Sequence, residues 1–234
     1  MSDDSIPDLG GRVVLITGAG AGLGAALARA AGAAGAEVIL LGRTVRKLEQ
    51  VYDAIVDAGG PEPAIYPLDL EGTSPEEYGE LYERIAGECG RIDALVHNAA
   101  MLGKQTPLEH YEPLDWARVM QVNVTGPLLL TQACLPLLRA GTDPAIVFIE
   151  DERRTAYWGA YGVSKAAAAA LADILRDELD GEPAVAVHRV RPGPMRTALR
   201  ADAFPGALPE EVPLPETEVP RLLAAVAGTR LPHA

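Results

Sequence analysis

Thr17-Gly18-Ala19-Gly20-Ala21-Gly22-Leu23-Gly24 follows directly on the apolar run Arg12–Thr17 and opens straight into an alanine-rich stretch. Gly18 permits the tight turn, Gly22 lets backbone approach a pyrophosphate, and Gly24 lets helix and strand pack closely. The helix beginning at Leu23 offers unpaired N–H groups to phosphate oxygens. A glycine motif alone is weak evidence. Here it stands between a predicted strand and a predicted helix, and that context favours dinucleotide binding over a merely structural turn.

Working outward from the turn, short apolar runs alternate with helix-like segments. Strands are predicted over Arg12–Thr17, Glu37–Leu41, Ala64–Leu68, Ala94–His97, Ala145–Ile149 and Ala184–Val190. Helices are predicted near Leu23–Ala34, Val45–Ala58, Pro75–Cys89, Leu114–Ala140, Ala160–Leu179 and Pro220–Ala227. Continuous Val/Ile/Leu strands imply a parallel sheet covered on both faces. Right-handed crossovers then give a doubly wound sheet. The predicted fold is a Rossmann-like α/β domain of three layers, single over 1–234. Residues 1–10 are read as a flexible N-terminus and the proline-rich 202–220 as a surface flap beside the substrate.

Composition narrows the partners. The 234 residues fit one large α/β domain. A net charge of −13 argues against nucleic acid, whose phosphates it would repel. A dinucleotide is also an anion, so its site must supply a local positive field. Lys47, Lys104 and Lys165 are the only lysines, against seventeen arginines. No apolar run approaches the roughly 20 residues that span a bilayer. Asp3, Asp4 and Asp8 occupy a start without the basic and apolar parts of a signal peptide. The expectation is therefore a cytoplasmic protein with no membrane partner. Cys89 and Cys134 are read as reduced thiols, and neither they nor His97, His110, His188 and His233 have metal-ligand spacing. No metal site is expected, and His97 is read as packed or capped.

The second strand ends Leu41-Gly42-Arg43-Thr44. NAD-preferring folds place an acid near here for the ribose 2′-hydroxyl. This chain has Gly42 there, followed by Arg43, whose guanidinium suits a 2′-phosphate. Arg46, one turn on, is placed to reinforce it. The missing acid favours NADP(H), with NAD(H) possible. Asp69, after the third strand and followed by Leu70, is placed to take the adenine amino group or else to cap the next turn.

Together with Thr17–Gly24, the residues His97-Asn98-Ala99-Ala100, Asn123, Tyr161-Gly162-Val163-Ser164-Lys165 and Pro192-Gly193-Pro194-Met195-Arg196-Thr197 resemble the short-chain dehydrogenase/reductase family. The resemblance runs from about Arg12 to about Pro205. Within the family the chain is most similar to YciK-type oxidoreductases, through Leu40–Arg43, Trp158–Tyr161 and Met195–Pro205. The resemblance implies hydride exchange between a nicotinamide cofactor and a carbonyl or secondary alcohol. Tyr161 would be the acid–base. Lys165, one turn along the same helix face, would stabilise its phenolate and hold the nicotinamide ribose. By resemblance Asn123 holds a water on the proton path and Asn98 pins the sheet beside the cofactor. Thr197 meets the nicotinamide amide, with Pro192, Gly193 and Met195 alongside.

One family member is missing. A serine normally ends the fifth strand, where it bonds the substrate oxygen and the tyrosine. Here that stretch is Ile149-Glu150-Asp151-Glu152-Arg153-Arg154, and Asp151 falls nearest the serine position. The segment up to Tyr161 is also shorter than usual. Ser164 lies on the helix of Tyr161 and cannot stand in. An ionised carboxylate would repel a forming alkoxide and oppose Lys165, and losing one oxyanion donor typically lowers rate about 10²–10³-fold. Asp151 could stay protonated through burial, Arg153 or Arg154 could neutralise it, or Thr155 could replace it. Otherwise the run is a solvated loop. Two functions follow: an active NADP(H) reductase, or a catalytically impaired NADP(H)-binding regulatory or scaffold protein. The family's seventh strand is expected to be shortened or missing near Gly228–Ala234. Helices over Leu114–Ala140 and Ala160–Leu179 leave one familiar interface, hence an expected homodimer.

Overall fold

The computed structural model describes residues 6–181 and 183–228. Six parallel strands form one sheet: β1 (Val13–Thr17), β2 (Glu37–Gly42), β3 (Ala64–Pro67), β4 (Ala94–His97), β5 (Ala145–Ile149) and β6 (Ala186–Val190). Their order is β3-β2-β1-β4-β5-β6, the doubly wound arrangement expected from the alternation of elements. All five residues of β1 are buried. Val14 and Ile16 enter one core while Val13 and Leu15 enter the other, as the two-residue strand period requires.

Helices α1 (Gly22–Ala33), α2 (Val45–Asp57) and α8 (Val219–Val226) cover one face, through residues such as Leu27, Ile55 and Leu222. Helices α3 (Pro75–Glu88), α5 (Gly126–Arg139) and α6 (Gly159–Glu178) cover the other, through Leu81, Leu130 and Ala172. The layers are therefore three. Pro67 closes β3 at the sheet edge, where a missing N–H removes no interior ladder bond.

Three expectations are corrected. The helix predicted over Leu114–Ala140 is two helices, α4 (Pro113–Met120) and α5, joined by a π turn over Gln121–Thr125. Gly126 N reaches back five residues to the carbonyl of Gln121. Pro127 has no N–H and so cannot donate to the Asn123 carbonyl in the α register. Next, the N-terminus expected to be flexible to residue 10 is fixed by Leu9, which is fully buried and bonded to Ala34 O at 2.8 Å. Residues 1–5 of it lie outside the described residues. Finally, the irregular stretch after β6 contains α7 (Ala198–Ala203) and two short 3-10 turns, with Arg196 N and Nε bonded to Pro213 O and Pro209 O. Where the seventh strand was in question, residues 229–234 lie outside the described residues.

The N-terminal ends of the strands are tied by buried Asp93. Its carboxylate accepts from Val13 N and Thr142 N and pairs with Arg91. Beside it, Arg12 donates to the carbonyls of Asp93, Asp143 and Val226. These bonds hold together main-chain groups at the starts of β1, β4 and β5 and at the end of α8.

Candidate active site

A cleft of about 930 Å³ opens at the opposite, C-terminal ends of the strands, where open α/β sheets bind ligands. Helix α1 starts there with no side-chain cap and no acidic residue in its first turn. By contrast α3 carries a capping box from Ser74 and Glu77. The α1 N–H groups are left for an anion. Gly18 has φ +65° and a Cβ there would lie 3.0 Å from Ala99 Cα, while one at Gly20 would lie 2.9 Å from Lys47 Cβ. A side chain at Gly24 would overlap Gly18 O and Asn98 Nδ2. This cradle fits a pyrophosphate held by backbone.

The cleft brings together Gly18, Gly22, Leu23, Arg43, Asp69 and Leu70 at one end, with Asn98 beside them. Pro192, Gly193, Met195 and Thr197 line it at the other side with Tyr161 and Lys165. Thr17, Gly24, Asn123 and Arg46 stand outside the cleft lining. Thr17 lies outside the cleft lining; its hydroxyl donates to Val96 O and accepts from Asn98 N and Ala99 N, so it braces β1 against β4. Gly24 is the close-packing position expected of it. Asn123 is buried outside the lining, its carboxamide bonded to both main-chain groups of Met101 and to Ser164 Oγ. Arg46 does not line the cleft; Lys47 does. The first turn of α2 turns Lys47 toward Gly20, a direction that a linear reading of charges near Arg43 does not give. Asp69 Oδ1 accepts from Glu71 N at 3.1 Å, the turn-capping alternative, yet the residue stays exposed in the cleft. Asn98 Nδ2 donates to Thr17 O, pinning β4 to the glycine turn. His97 is a packed histidine: it meets Thr131 Oγ1 at 2.8 Å and the Phe148 ring, and burial pushes its pKa down to about 3.

The reaction end gathers Tyr161, Lys165 and Asp151. The Tyr161 hydroxyl donates to Asp151 Oδ2 at 3.0 Å. Burial first, then the Asp151 charge and that hydrogen bond, raise the tyrosine's pKa well above its ordinary value. Lys165 Nζ donates to Ile149 O at 3.0 Å and lies 5.9 Å from the Tyr161 ring centroid. Burial pushes the Lys165 pKa down to about 8, with Asp151 and Glu150 acting the other way. Burial and the Asp151 carboxylate thus act against the phenolate, the form that Lys165 is expected to stabilise.

Arg153 stands near Asp151 without taking it up in a hydrogen bond. Arg153 Nε lies 3.6 Å from Asp151 Oδ1, with its guanidinium on the Trp158 and Phe204 rings. Thr155 is exposed and outside the lining. Ser164 donates to Tyr161 O within the helix and does not reach the strand end. The alternative of a solvated run does not hold for Glu150, whose side chain is 7% exposed and pairs with Arg189 and Arg191. Gly162 lets the Arg153 carbonyl rest against α6, where any Cβ would overlap it. That contact draws the short segment after β5 across the helix and delivers Asp151 to Tyr161. Of the expected flap, Asp202, Ala203 and Phe204 reach the cleft. Among the described residues no cluster of three or more His, Cys, Asp or Glu is poised for a metal, and no helix is long and apolar enough to cross a membrane.

A six-stranded parallel sheet with an uncapped glycine-turn helix and Tyr161–Lys165 at one cleft defines a nucleotide-binding oxidoreductase scaffold. The chain belongs to the short-chain dehydrogenase family, whose profile matches residues 12–207. It is 38% identical to the uncharacterized oxidoreductase YciK of Escherichia coli (strain K12) over 218 residues, 92% of this chain and 86% of that one. A short chain dehydrogenase structure from Pseudomonas syringae superposes with TM-score 0.92 at 45% identity, covering 95% of this chain and 91% of that chain. One from Shigella flexneri, solved in complex with NADP, superposes with TM-score 0.91 at 36% identity, covering 95% and 93%. The chain is thus a YciK-like short-chain dehydrogenase by family.

Proposed function

We propose that this chain is an NADP(H)-dependent oxidoreductase that interconverts a carbonyl and a secondary alcohol, with Tyr161 as acid–base. The observation that carries this reading is one continuous cleft joining the glycine cradle and Arg43 to Tyr161 and Lys165. The Shigella flexneri relative's complex with NADP supports the cofactor choice. The cofactor, when bound, supplies or accepts the hydride. Arg43 and Lys47 would meet the 2′-phosphate, the α1 N–H groups the pyrophosphate, and Lys165 the nicotinamide ribose. Tyr161 would protonate the forming alkoxide, and Trp158 and Phe204 would wall the substrate from water.

Fluorescence titration tests the cofactor reading. NADPH is expected to bind more tightly than NADH, and Arg43→Glu to weaken NADPH about 10²-fold by exchanging an attraction for a repulsion at the 2′-phosphate. Equal affinity for both cofactors, unchanged in the variant, would overturn it.

One observation favours a second reading, an NADP(H) binder impaired in carbonyl chemistry: the Asp151 carboxylate lies against the Tyr161 hydroxyl. We further propose a cytoplasmic homodimer that pairs through the α4–α5 and α6 faces, where Leu114, Val163 and Ile174 are exposed. Light scattering after size exclusion is expected to give twice the 24.6 kDa chain mass; a monomer or tetramer would refute it.

A further inference from the structure

Asp151 changes the kind of substrate this reaction centre suits. In carbonyl reduction, negative charge develops on the oxygen that sits beside the catalytic tyrosine, and a donor there stabilises it. This chain presents a carboxylate oxygen instead, 3.0 Å from the Tyr161 hydroxyl that donates to it. The phenol proton is committed to Asp151, and burial and the carboxylate both hold it there. A carboxylate at that point opposes an oxyanion and favours a cation.

We propose that the substrate of this site is a C=N compound reacting as its iminium cation or, in the reverse direction, the corresponding amine. This rests on the cofactor and hydride transfer of the reading above and replaces its carbonyl with a C=N group. The iminium carbon accepts a hydride from the reduced nicotinamide, forming a C–H bond. The C=N π pair moves onto nitrogen as its lone pair. The substrate gains two electrons, NADPH becomes NADP+, and the amine takes its later proton from water. No proton from Tyr161 is needed, so its commitment to Asp151 is no obstacle. A neutral imine would be protonated more readily beside Asp151, because the adjacent negative charge favours its cationic form.

The charges facing Asp151 are compatible with this assignment. Arg153 approaches Oδ1, the other carboxylate oxygen, at 3.6 Å and lies on the rings of Trp158 and Phe204. Among the described residues the only hydrogen bond to Asp151 comes from Tyr161, leaving an acceptor for a substrate N–H. Glu150 is taken up by Arg189 and Arg191, and Glu152 by Arg191 at 2.7 Å, so Asp151 is the carboxylate left to the cleft at this point. Lys165 faces the same space from α6 and would repel a cation. It is turned to Ile149 O, and its lowered pKa reduces its charge at mildly alkaline pH.

The test compares 2-methyl-1-pyrroline with cyclopentanone as substrates of the NADPH-saturated protein, in wild type, Asp151→Ser and Asp151→Asn. Wild type is expected to prefer the cyclic imine, and the serine variant to lower the imine-to-ketone ratio of kcat/KM about 10²-fold. A binding arm needs no turnover: by calorimetry, on cofactor-free and NADP+-bound protein, pyrrolidinium should bind wild type about tenfold tighter than Asp151→Asn, and cyclopentanol equally to both. Matching melting temperatures establish that the variants are folded. A wild type that prefers the ketone, an unchanged ratio in the serine variant, or no pyrrolidinium difference overturns the proposal. Failure of NADPH to bind would instead sink the oxidoreductase reading, while the cofactor-free pyrrolidinium arm still reports on Asp151.

Discussion

Tyr161→Phe is expected to lower carbonyl reduction about 10³-fold, because general acid catalysis typically contributes 10²–10⁴. The substitution removes one oxygen and keeps the ring that packs against Trp158 at 5.7 Å between centroids. NADPH affinity should therefore fall by less than about tenfold, the worth of one hydrogen bond. Steady-state kinetics with a ketone and a fluorescence titration with NADPH check the two halves separately. A variant that keeps a tenth or more of ketone turnover would remove Tyr161 from the role of acid. The same variant should keep most of its turnover of a cyclic imine, where hydride addition requires no proton from the phenol.

Lys165→Met is expected to do two opposite things: abolish most carbonyl turnover and stabilise the fold. Lys165 is 8% exposed and its ammonium has one hydrogen bond, to Ile149 O. Burial lowers its pKa from 10.5 to about 8. In the unfolded chain the ammonium is fully hydrated, so below pH 8 the folded state bears the desolvation of a charge. Between about pH 8 and 10.5 the folded protein releases the proton while the unfolded chain keeps it, so wild-type stability rises across that window. The whole effect amounts to about 3 kcal/mol. Urea unfolding should find the variant more stable by about 1–3 kcal/mol at pH 7, with the gap closing by pH 10.5. A variant less stable than wild type at pH 7 would mean that Lys165 is held by interactions stronger than its desolvation.

Much of this is legible in the sequence because the signals are local. Gly18 to Gly24 are adjacent in sequence, and Tyr161 and Lys165 are one helical turn apart. The central strands β1, β2, β4 and β5 are short, largely buried runs, and such runs need no distant information to be read. Asp151 was placed by counting from the strand end, and it stands at the tyrosine. What was hidden depends on partners far along the chain. Glu150 is buried because Arg189 and Arg191, on and just after β6, reach it. At the break between α4 and α5 the side chain of Asn123 is held by Met101 and Ser164, contacts that no periodicity encodes. Thr17 sits within the glycine motif, but strand direction turns its hydroxyl toward β4 and away from the cleft. That Lys47 and not Arg46 lines the cleft depends on the azimuth of α2.

The knot of Asp93, Arg12 and Arg91 lies at one end of the strands, and Asp151, Tyr161 and Lys165 lie at the other. The length of the sheet separates the contacts that close its strand ends from those that select its chemistry. A lineage built this way has room to explore: a hydroxyl at the end of β5 can give way to a carboxylate without first being compensated where the strands are tied. Novelty at the cleft is then screened by selection for what the new charge attracts, largely apart from whether the chain still assembles.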